Sequence, residues 1–253
     1  WQEVAGSGVD VGLKIVYANI SSFSIFAPLA VVDSTPPSIE LLSPADNAYI
    51  NSSEVTFLFN ATDDLSTVLI CSLYIDNSLN HTNSSVINSS VTNFQVTGFV
   101  DGHYNWKINC SDESGNSNAS ETRIFTIDTI SPSVTITSPS SNSYINNKII
   151  TINGTSFDDY LDYTNISIYH NSILINSTTT TDSSWSIQLS VIQAGEYNII
   201  ATAYDLAGNS NSSNVVNIVI DIATPSIYLI SPSNHTWTHE NNDSLQFTFY
   251  VDD

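Results

Sequence analysis

Apolar residues recur at every second position through most of this chain. Val55, Phe57 and Phe59 alternate with polar residues. Ile150 and Ile152, Ile166 and Ile168, Ile199, Ala201 and Ala203, and Ile218 and Ile220 do the same. Successive side chains of a β-strand point to opposite faces, so this period marks strands with one buried and one solvated face. No segment carries the period of a helix. The predicted fold class is all-β.

The alternation is organised into repeats. DSTPPSIELLSPADNAYI begins at Asp33, DTISPSVTITSPSSNSYI at Asp128 and DIATPSIYLISPSNHTWT at Asp221. Pro44, Pro139 and Pro232 are spaced 95 and 93 residues apart, a period that fits one immunoglobulin-like sandwich. An Asp pair follows the second strand in both full copies, Asp63 with Asp64 and Asp158 with Asp159. DGHYNWKINCSDESGNSN and AGEYNIIATAYDLAGNSN close them. The predicted domains are 33–127 and 128–220, followed by the start of a third at 221–253. Short linkers at Asp33 to Pro37, Asp128 to Pro132 and Asp221 to Pro225 join them, each narrowed in backbone freedom by proline. Residues 1–32 do not match the repeat. With Val11, Leu13, Ile15 and Tyr17 alternating, they read as closing strands of another β domain, upstream or completed by a partner. Both ends then read as open, through continuation of the chain or sheets completed between subunits.

Aligning the Asp pairs sets Cys71 opposite Ile166, and aligning the hairpin turns sets Cys110 opposite Ala203. An inward Cys pair in one copy is expected to give way to an inward apolar pair in the next. These are the only cysteines, and the alignments place them on neighbouring strands, so a disulfide is expected. Closing a loop of about 40 residues stabilises by roughly 4 kcal/mol in the loop-entropy picture. A disulfide also places the chain outside a reducing cytosol. The competing account is two buried free thiols.

Three features together resemble the tandem Ig-like repeats of archaeal and bacterial extracellular surface proteins. They are the D-x-x-x-P linker leading through a short strand to S-P-x-x-N, the D-D turn, and the closing YNWKINCSDESGN or ATAYDLAGN. The resemblance covers residues 33 to 253, and CSLYIDN with WKINCSDESGN is most similar to archaeal surface proteins. It implies tandem Ig-like β-sandwich domains joined by short Pro-containing linkers, in a structural protein of the cell surface. The antibody pattern is absent. Cys71 falls on the third strand, and the nearest Tyr before Cys110, Tyr104, is six residues back rather than two.

Composition narrows the function. The chain has 25 Asp and Glu against four Lys and Arg, a formal net charge of -21. That leaves no basic footprint for a phosphate backbone, so nucleic acid is excluded as a partner. No apolar run is long enough for a spanning helix, and no basic-then-apolar leader opens the sequence. No membrane insertion is expected in this segment, which reads as mature or excised. Aromatic and β-branched residues suffice for packed cores.

Asn, Ser and Thr number 28, 41 and 24. N-x-[ST] sequons fall at Asn19, Asn51, Asn60, Asn80, Asn83, Asn88, Asn109, Asn118, Asn153, Asn165, Asn176, Asn211, Asn234 and Asn242. That is 14, against about seven expected by chance from 65 Ser and Thr in 253 residues. The excess points to covalent N-glycans on turns and outward strand positions. The competing account is a chain generically rich in these residues.

Asp residues form the one candidate metal set. A sandwich brings the turn after the second strand, the last hairpin and the lead-in to one pole. Asp33, Asp63, Asp64 and Asp112 would meet there in one copy, and Asp128, Asp158, Asp159 and Asp205 in the next. Calcium takes six to eight hard oxygens of this kind. Asp is also an ordinary turn residue that hydrogen-bonds its own backbone, and no other cofactor is implied. The histidines His81, His103, His170, His235 and His239 belong to no catalytic constellation. There is no G-x-S-x-G elbow and no phosphate loop, so no enzyme activity is expected. Phe57, Phe59, Trp106, Phe125, Tyr104 and Tyr197 are expected in the cores, and Trp185 could lie exposed at a turn.

The function these features point to is a glycosylated, extracellular cell-surface protein. It would form a filament or surface layer through copies of itself or neighbouring surface proteins. The alternative is a monomeric adhesin stalk whose binding domain lies elsewhere.

Overall fold

The structure is a computed structural model that describes residues 8–10, 15–17, 32–231 and 248–252. Asn19, Asn234, Asn242, His235, His239, Val11 and Leu13 lie outside the described residues. Near the N-terminus β1 (Gly8–Asp10) and β2 (Ile15–Tyr17) pair antiparallel. The chain then divides into two compact units, 1–48 with 52–127, and 49–51 with 128–253.

Nine strands follow in the first sandwich. They are β3 (Ser38–Ser43), β4 (Ala48–Ile50), β5 (Glu54–Thr62), β6 (Val68–Ile75), β7 (Ser78–Ile87), β8 (Ser90–Thr97), β9 (Gly102–Ser111), β10 (Ser117–Ala119) and β11 (Arg123–Ile127). One sheet has the order β3-β5-β8, the other β4-β11-β9-β6-β7, with β10 on β9. The period of two is obeyed: Val55, Phe57, Phe59 and Ala61 of β5 and Leu69, Cys71, Leu73 and Ile75 of β6 are all buried in the core. Its centre is aromatic, with the Phe57 ring 5.0 Å from Trp106 and 5.7 Å from Phe125.

The second sandwich repeats the plan with β12 (Ser133–Ser138), β13 (Ser143–Ile145), β14 (Ile149–Phe157), β15 (Leu161–His170), β16 (Ile173–Thr180), β17 (Ser184–Ser190), β18 (Gly195–Asp205), β19 (Ser210–Ser212) and β20 (Val216–Ile220). Its sheets are β12-β14-β17 and β13-β20-β18-β15-β16, with β19 on β18. The core is largely aliphatic, built on Ile150, Ile152, Ile166, Ile168, Ile199, Ile218 and Ile220 around Trp185 and Tyr197. Beyond it β21 (Ser226–Ser231) pairs antiparallel with β22 (Thr248–Asp252).

Two local devices recur. The first strand of each copy slips register just before its proline, between Leu41 and Ser43, Ile136 and Ser138, and Leu229 and Ser231. Asp76 with Asn77, and Asn171 with Ser172, take positive φ in the two-residue turns between β6 and β7 and between β15 and β16. Paired positive φ angles are the geometry whose twist matches antiparallel strands, and Asn and Asp tolerate it.

Candidate functional site

The short strands β4 and β13, not expected from the sequence, make the acidic loop follow the third strand of each sandwich and put Cys71 on the fourth. This loop converges at one pole with the lead-in and the last hairpin. Ligand oxygens of Asp33, Asp63 and Asp64 lie within 4.8 Å of one another, as do those of Asp128, Asp158 and Asp205. Asp112 and Asp159 stand outside these groups, so the expected sets of four are trios. Each trio offers hard oxygens of the kind calcium takes, short of the six to eight that fill its shell.

The same carboxylates do structural work. Asp33 Oδ1 accepts from Thr35 N at 3.1 Å, Asp63 Oδ1 from Ser66 N at 2.8 Å, and Asp158 Oδ1 from Tyr160 N at 2.8 Å. Asp112 Oδ1 accepts from Asn116 N and Ser114 N at 2.8 and 2.9 Å, and its Oδ2 from Asn116 Nδ2 at 2.7 Å. Burial works to raise the pKa of this carboxyl. The Asn116 side-chain amide and the backbone amides of Asn116, Ser114 and Gly115 outweigh it and hold the group below the ordinary Asp value of 3.8.

Sequence reasoning missed the tie that closes this pole. Asn116 Nδ2 also donates to Asp33 O at 3.2 Å, and Asn209 Nδ2 donates to Asp128 O at 2.9 Å and to Asp205 Oδ2 at 2.9 Å. The Asn after Gly in each closing hairpin thus fastens the lead-in strand. Its presence in both copies of the G-N-S segment was the available signal. A second recurrent tie joins Tyr104 Oη to Val100 O and Tyr197 Oη to Gln193 O, both at 3.0 Å, as in the tyrosine corner of sandwich domains. Tyr197 is buried as expected. Tyr104 is only half-buried, stacked 5.4 Å from Phe125.

Cys71 and Cys110 form a disulfide, S–S 2.07 Å, between directly opposite residues of β6 and β9 with Cα atoms 4.1 Å apart. In the second sandwich Ile166 holds the place of Cys71 along its own hairpin and is buried, but it does not face Ala203. Thr164 faces Ala203 there, while Ile166 faces Ala201. Asp63 precedes the turn at Asp76 by as many residues as Asp158 precedes the turn at Asn171, so the Asp-pair alignment holds along the strand, and β15 instead meets β18 two residues out of step with β6 on β9. The expected apolar pair is therefore Thr164 and Ala203. The buried Thr164 hydroxyl donates to Ser156 Oγ at 2.6 Å, and Trp185 Nε1 donates to the same oxygen at 3.1 Å. Trp185 is only 4% exposed, which removes it as a ring exposed at a turn.

The described sequons differ in what their amides do. Asn88 Nδ2 donates to Asp63 O and Ser66 O, both at 2.7 Å, and its Oδ1 accepts from Asp63 N at 3.0 Å. It is a strut of the acidic loop, and a glycan there would remove one of these bonds. Asn118 Nδ2 donates to Pro37 O at 3.0 Å. Ser120 and Ser213, the hydroxyl positions of the Asn118 and Asn211 sequons, accept from Ile108 N and Ala201 N at 3.0 and 3.1 Å. Part of the sequon excess is thus structural. Asn51, Asn80 and Asn211 are exposed, and Asn60, Asn83, Asn109, Asn153, Asn165 and Asn176 half-buried. Asn60 keeps its Oδ1 buried, and Asn176 Nδ2 donates to Ser190 O at 3.4 Å.

Each described His serves a local contact. Nδ1 of His81 meets Asn80 Oδ1, that of His103 lies 2.9 Å from Thr126 Oγ1, and that of His170 donates to Glu196 O at 2.8 Å. Among the described residues the groups able to hold a metal contain Asp alone.

Residues 37–120 match the family profile of the bacterial Ig domain, and residues 132–222 that of glucodextranase domain B. No curated protein matches the chain by sequence. Among solved structures, the fibronectin(III)-like modules of Clostridium thermocellum CbhA align over 80% of this chain and 100% of theirs, at 17% identity and TM-score 0.49. A marsupial T cell receptor aligns over 76% of this chain and 78% of its own, at 8% identity and TM-score 0.50. A 1.5-MDa bacterial ice-binding adhesin, described for host cell surface retention, aligns over 79% and 71%, at 18% identity and TM-score 0.41. At such identities the likeness is one of fold. The chain carries tandem immunoglobulin-like β-sandwiches, and its described residues hold no helix long and apolar enough to cross a membrane.

Proposed function

We propose that this chain is part of an extracellular surface protein in which tandem Ig-like sandwiches serve as the structural material of a filament or surface layer. Copies of the chain, or neighbouring surface proteins, would be the contacts. The observation that carries this reading is the pairing of two successive sandwiches with a disulfide inside the first. A buried cross-strand disulfide belongs to a chain that matured outside a reducing cytosol. The bacterial Ig profile and a charge of -21 with four basic residues agree with a scaffold. Fold alone does not assign function, so the disulfide and the composition, not the sandwich alone, carry this reading.

Brief digestion of intact native cells with a protease that cannot cross the membrane tests the location. Release of peptides from 37–120 with Cys71 still bonded to Cys110 is the expected result. A chain protected until lysis, with both thiols free, overturns the proposal.

A further inference from the structure

One outward position is kept between the two sandwiches although the residue that fills it changes strand. Ser72 of β6 faces Asn109 of β9, next to the disulfide pair. Asn165 of β15 faces Thr202 of β18, next to the Thr164–Ala203 pair that replaces the disulfide. Cys71, Cys110, Thr164 and Ala203 are all buried, so side-chain alternation turns these next-door pairs to the outer face of the larger sheet. Each pair holds one sequon asparagine, Asn109-Cys110-Ser111 on β9 in the first unit and Asn165-Ile166-Ser167 on β15 in the second.

The partner of each asparagine is turned away from it. Ser72 Oγ lies 2.8 Å from Thr82 Oγ1 on β7, and Thr202 Oγ1 lies 2.8 Å from Ser212 Oγ on β19. Asn165 Oδ1 accepts weakly from Ser167 Oγ at 3.4 Å, and no hydrogen bond among the described residues uses Nδ2 of Asn109 or Asn165. That sets them apart from Asn88 and Asn118, whose amide hydrogens are committed to backbone carbonyls.

The surface around each pair suits a sugar. Two positions along β6 from Ser72, on the same face, stands Tyr74, with Lys107 Nζ 5.8 Å from its ring centre. Two positions from Asn165 and Thr202 stand Tyr163 and Tyr204, stacked at 4.8 Å. Ile70, 46% exposed, stands two residues from Ser72 on the other side. Aromatic and aliphatic groups on a solvated sheet face are a liability for association unless something covers them.

We infer that Asn109 and Asn165 are N-glycosylation sites, placing one glycan near the middle of the larger sheet's outer face in each sandwich and shielding that face from a second copy. The inference rests on the extracellular reading above. The co-reactant is a sugar activated on a lipid-linked phosphate. A bond forms between Nδ2 and the anomeric carbon, the bond from that carbon to the phosphate oxygen breaks, one Nδ2 proton is lost, and the lipid phosphate leaves.

Glycopeptide mass mapping of the protein from its native cells is the direct test, with cleavage at Asp and aromatic residues because basic sites are few. Peptides holding Asn109 and Asn165 are expected to carry glycan mass, and the peptide holding Asn88 none. Glycan on Asn51, Asn80 or Asn211 with Asn109 and Asn165 bare overturns the inference and leaves the extracellular reading standing. A chain bare at every sequon overturns the inference too, and with protection from protease in intact cells it overturns both. Enzymatic deglycosylation of the native protein gives a second readout that does not depend on a variant folding. Light scattering is expected to show self-association at concentrations at least tenfold lower than before, and N109Q/N165Q protein should behave like the deglycosylated form. Unchanged association overturns the shielding role.

Discussion

Trp185 occupies the space that a side chain on Gly154 would need. A Cβ at residue 154 would lie 2.2 Å from two carbons of the Trp185 ring and 2.5 Å from Thr135 O. In the first sandwich the balance is reversed. Phe59 stands where Gly154 does, marked by the same register slip opposite Leu41 and Ile136, and Thr92 stands where Trp185 does. A large residue on one strand is exchanged for a large residue on its neighbour, which keeps the core filled. Gly154→Ala should therefore destabilise the second sandwich by about 1–3 kcal/mol or more, because both a ring and a backbone carbonyl must move. Chemical denaturation of the variant measures it, and an unchanged midpoint would contradict this packing.

Ser156 Oγ accepts from two buried donors, Thr164 Oγ1 and Trp185 Nε1. Ser156→Ala, the residue the first sandwich has at this level as Ala61, leaves both donors without their acceptor in a buried site. An unmet buried group costs about 1–3 kcal/mol, so the loss should exceed that of a surface Ser→Ala change severalfold. The same denaturation measurement reads it.

Reduction should act on one sandwich only. Opening Cys71–Cys110 frees a loop of 39 residues, for which the chain-entropy picture gives about 4 kcal/mol. Calorimetry with and without reductant should show one transition shifted down and the other unmoved, since the second unit contains no cysteine. A shift in both would mean that the units do not unfold separately.

Acid should loosen the pole at Asp112. Its carboxyl titrates below the ordinary value of 3.8, so the unfolded chain takes up the proton before the native one. The stability this carboxylate contributes is present above 3.8 and is lost as pH falls through the lower native value. Asp112→Asn should lower the unfolding midpoint at neutral pH and flatten its fall below pH 3.8. A variant whose acid profile matches the parent would assign that fall to other carboxylates.

Strand alternation carried the fold into the sequence legibly. Val55, Phe57, Phe59, Ile150 and Ile152 are buried at the period read from the chain, because burial on one face leaves its mark at every second residue. The register between neighbouring strands carries no such mark. β15 meets β18 two residues out of step with β6 on β9, which sets Thr164 and not Ile166 opposite Ala203 and made a polar network look like an apolar pair. Trp185 was ambiguous for a related reason, since its burial depends on the missing side chain of Gly154, a strand away. The acidic trios were approached through repeat alignment, but which Asp falls inside depends on how each carboxylate turns within its own loop. Asn88 and Asn116 show the limit of motif reading. The first spells a sequon and acts as a strut, and the second spells nothing and fastens the lead-in.

The central claim is that these sandwiches are structural material of a cell surface. Electron microscopy of matter sheared gently from native cells, with peptide mapping of the same fraction, tests it most directly. The account predicts regular fibres or sheets whose peptides include those of 37–120 and 132–222. Dispersed thin particles carrying the same peptides would contradict the polymer in favour of a stalk, and their confinement to the lysed cell interior would contradict the account as a whole.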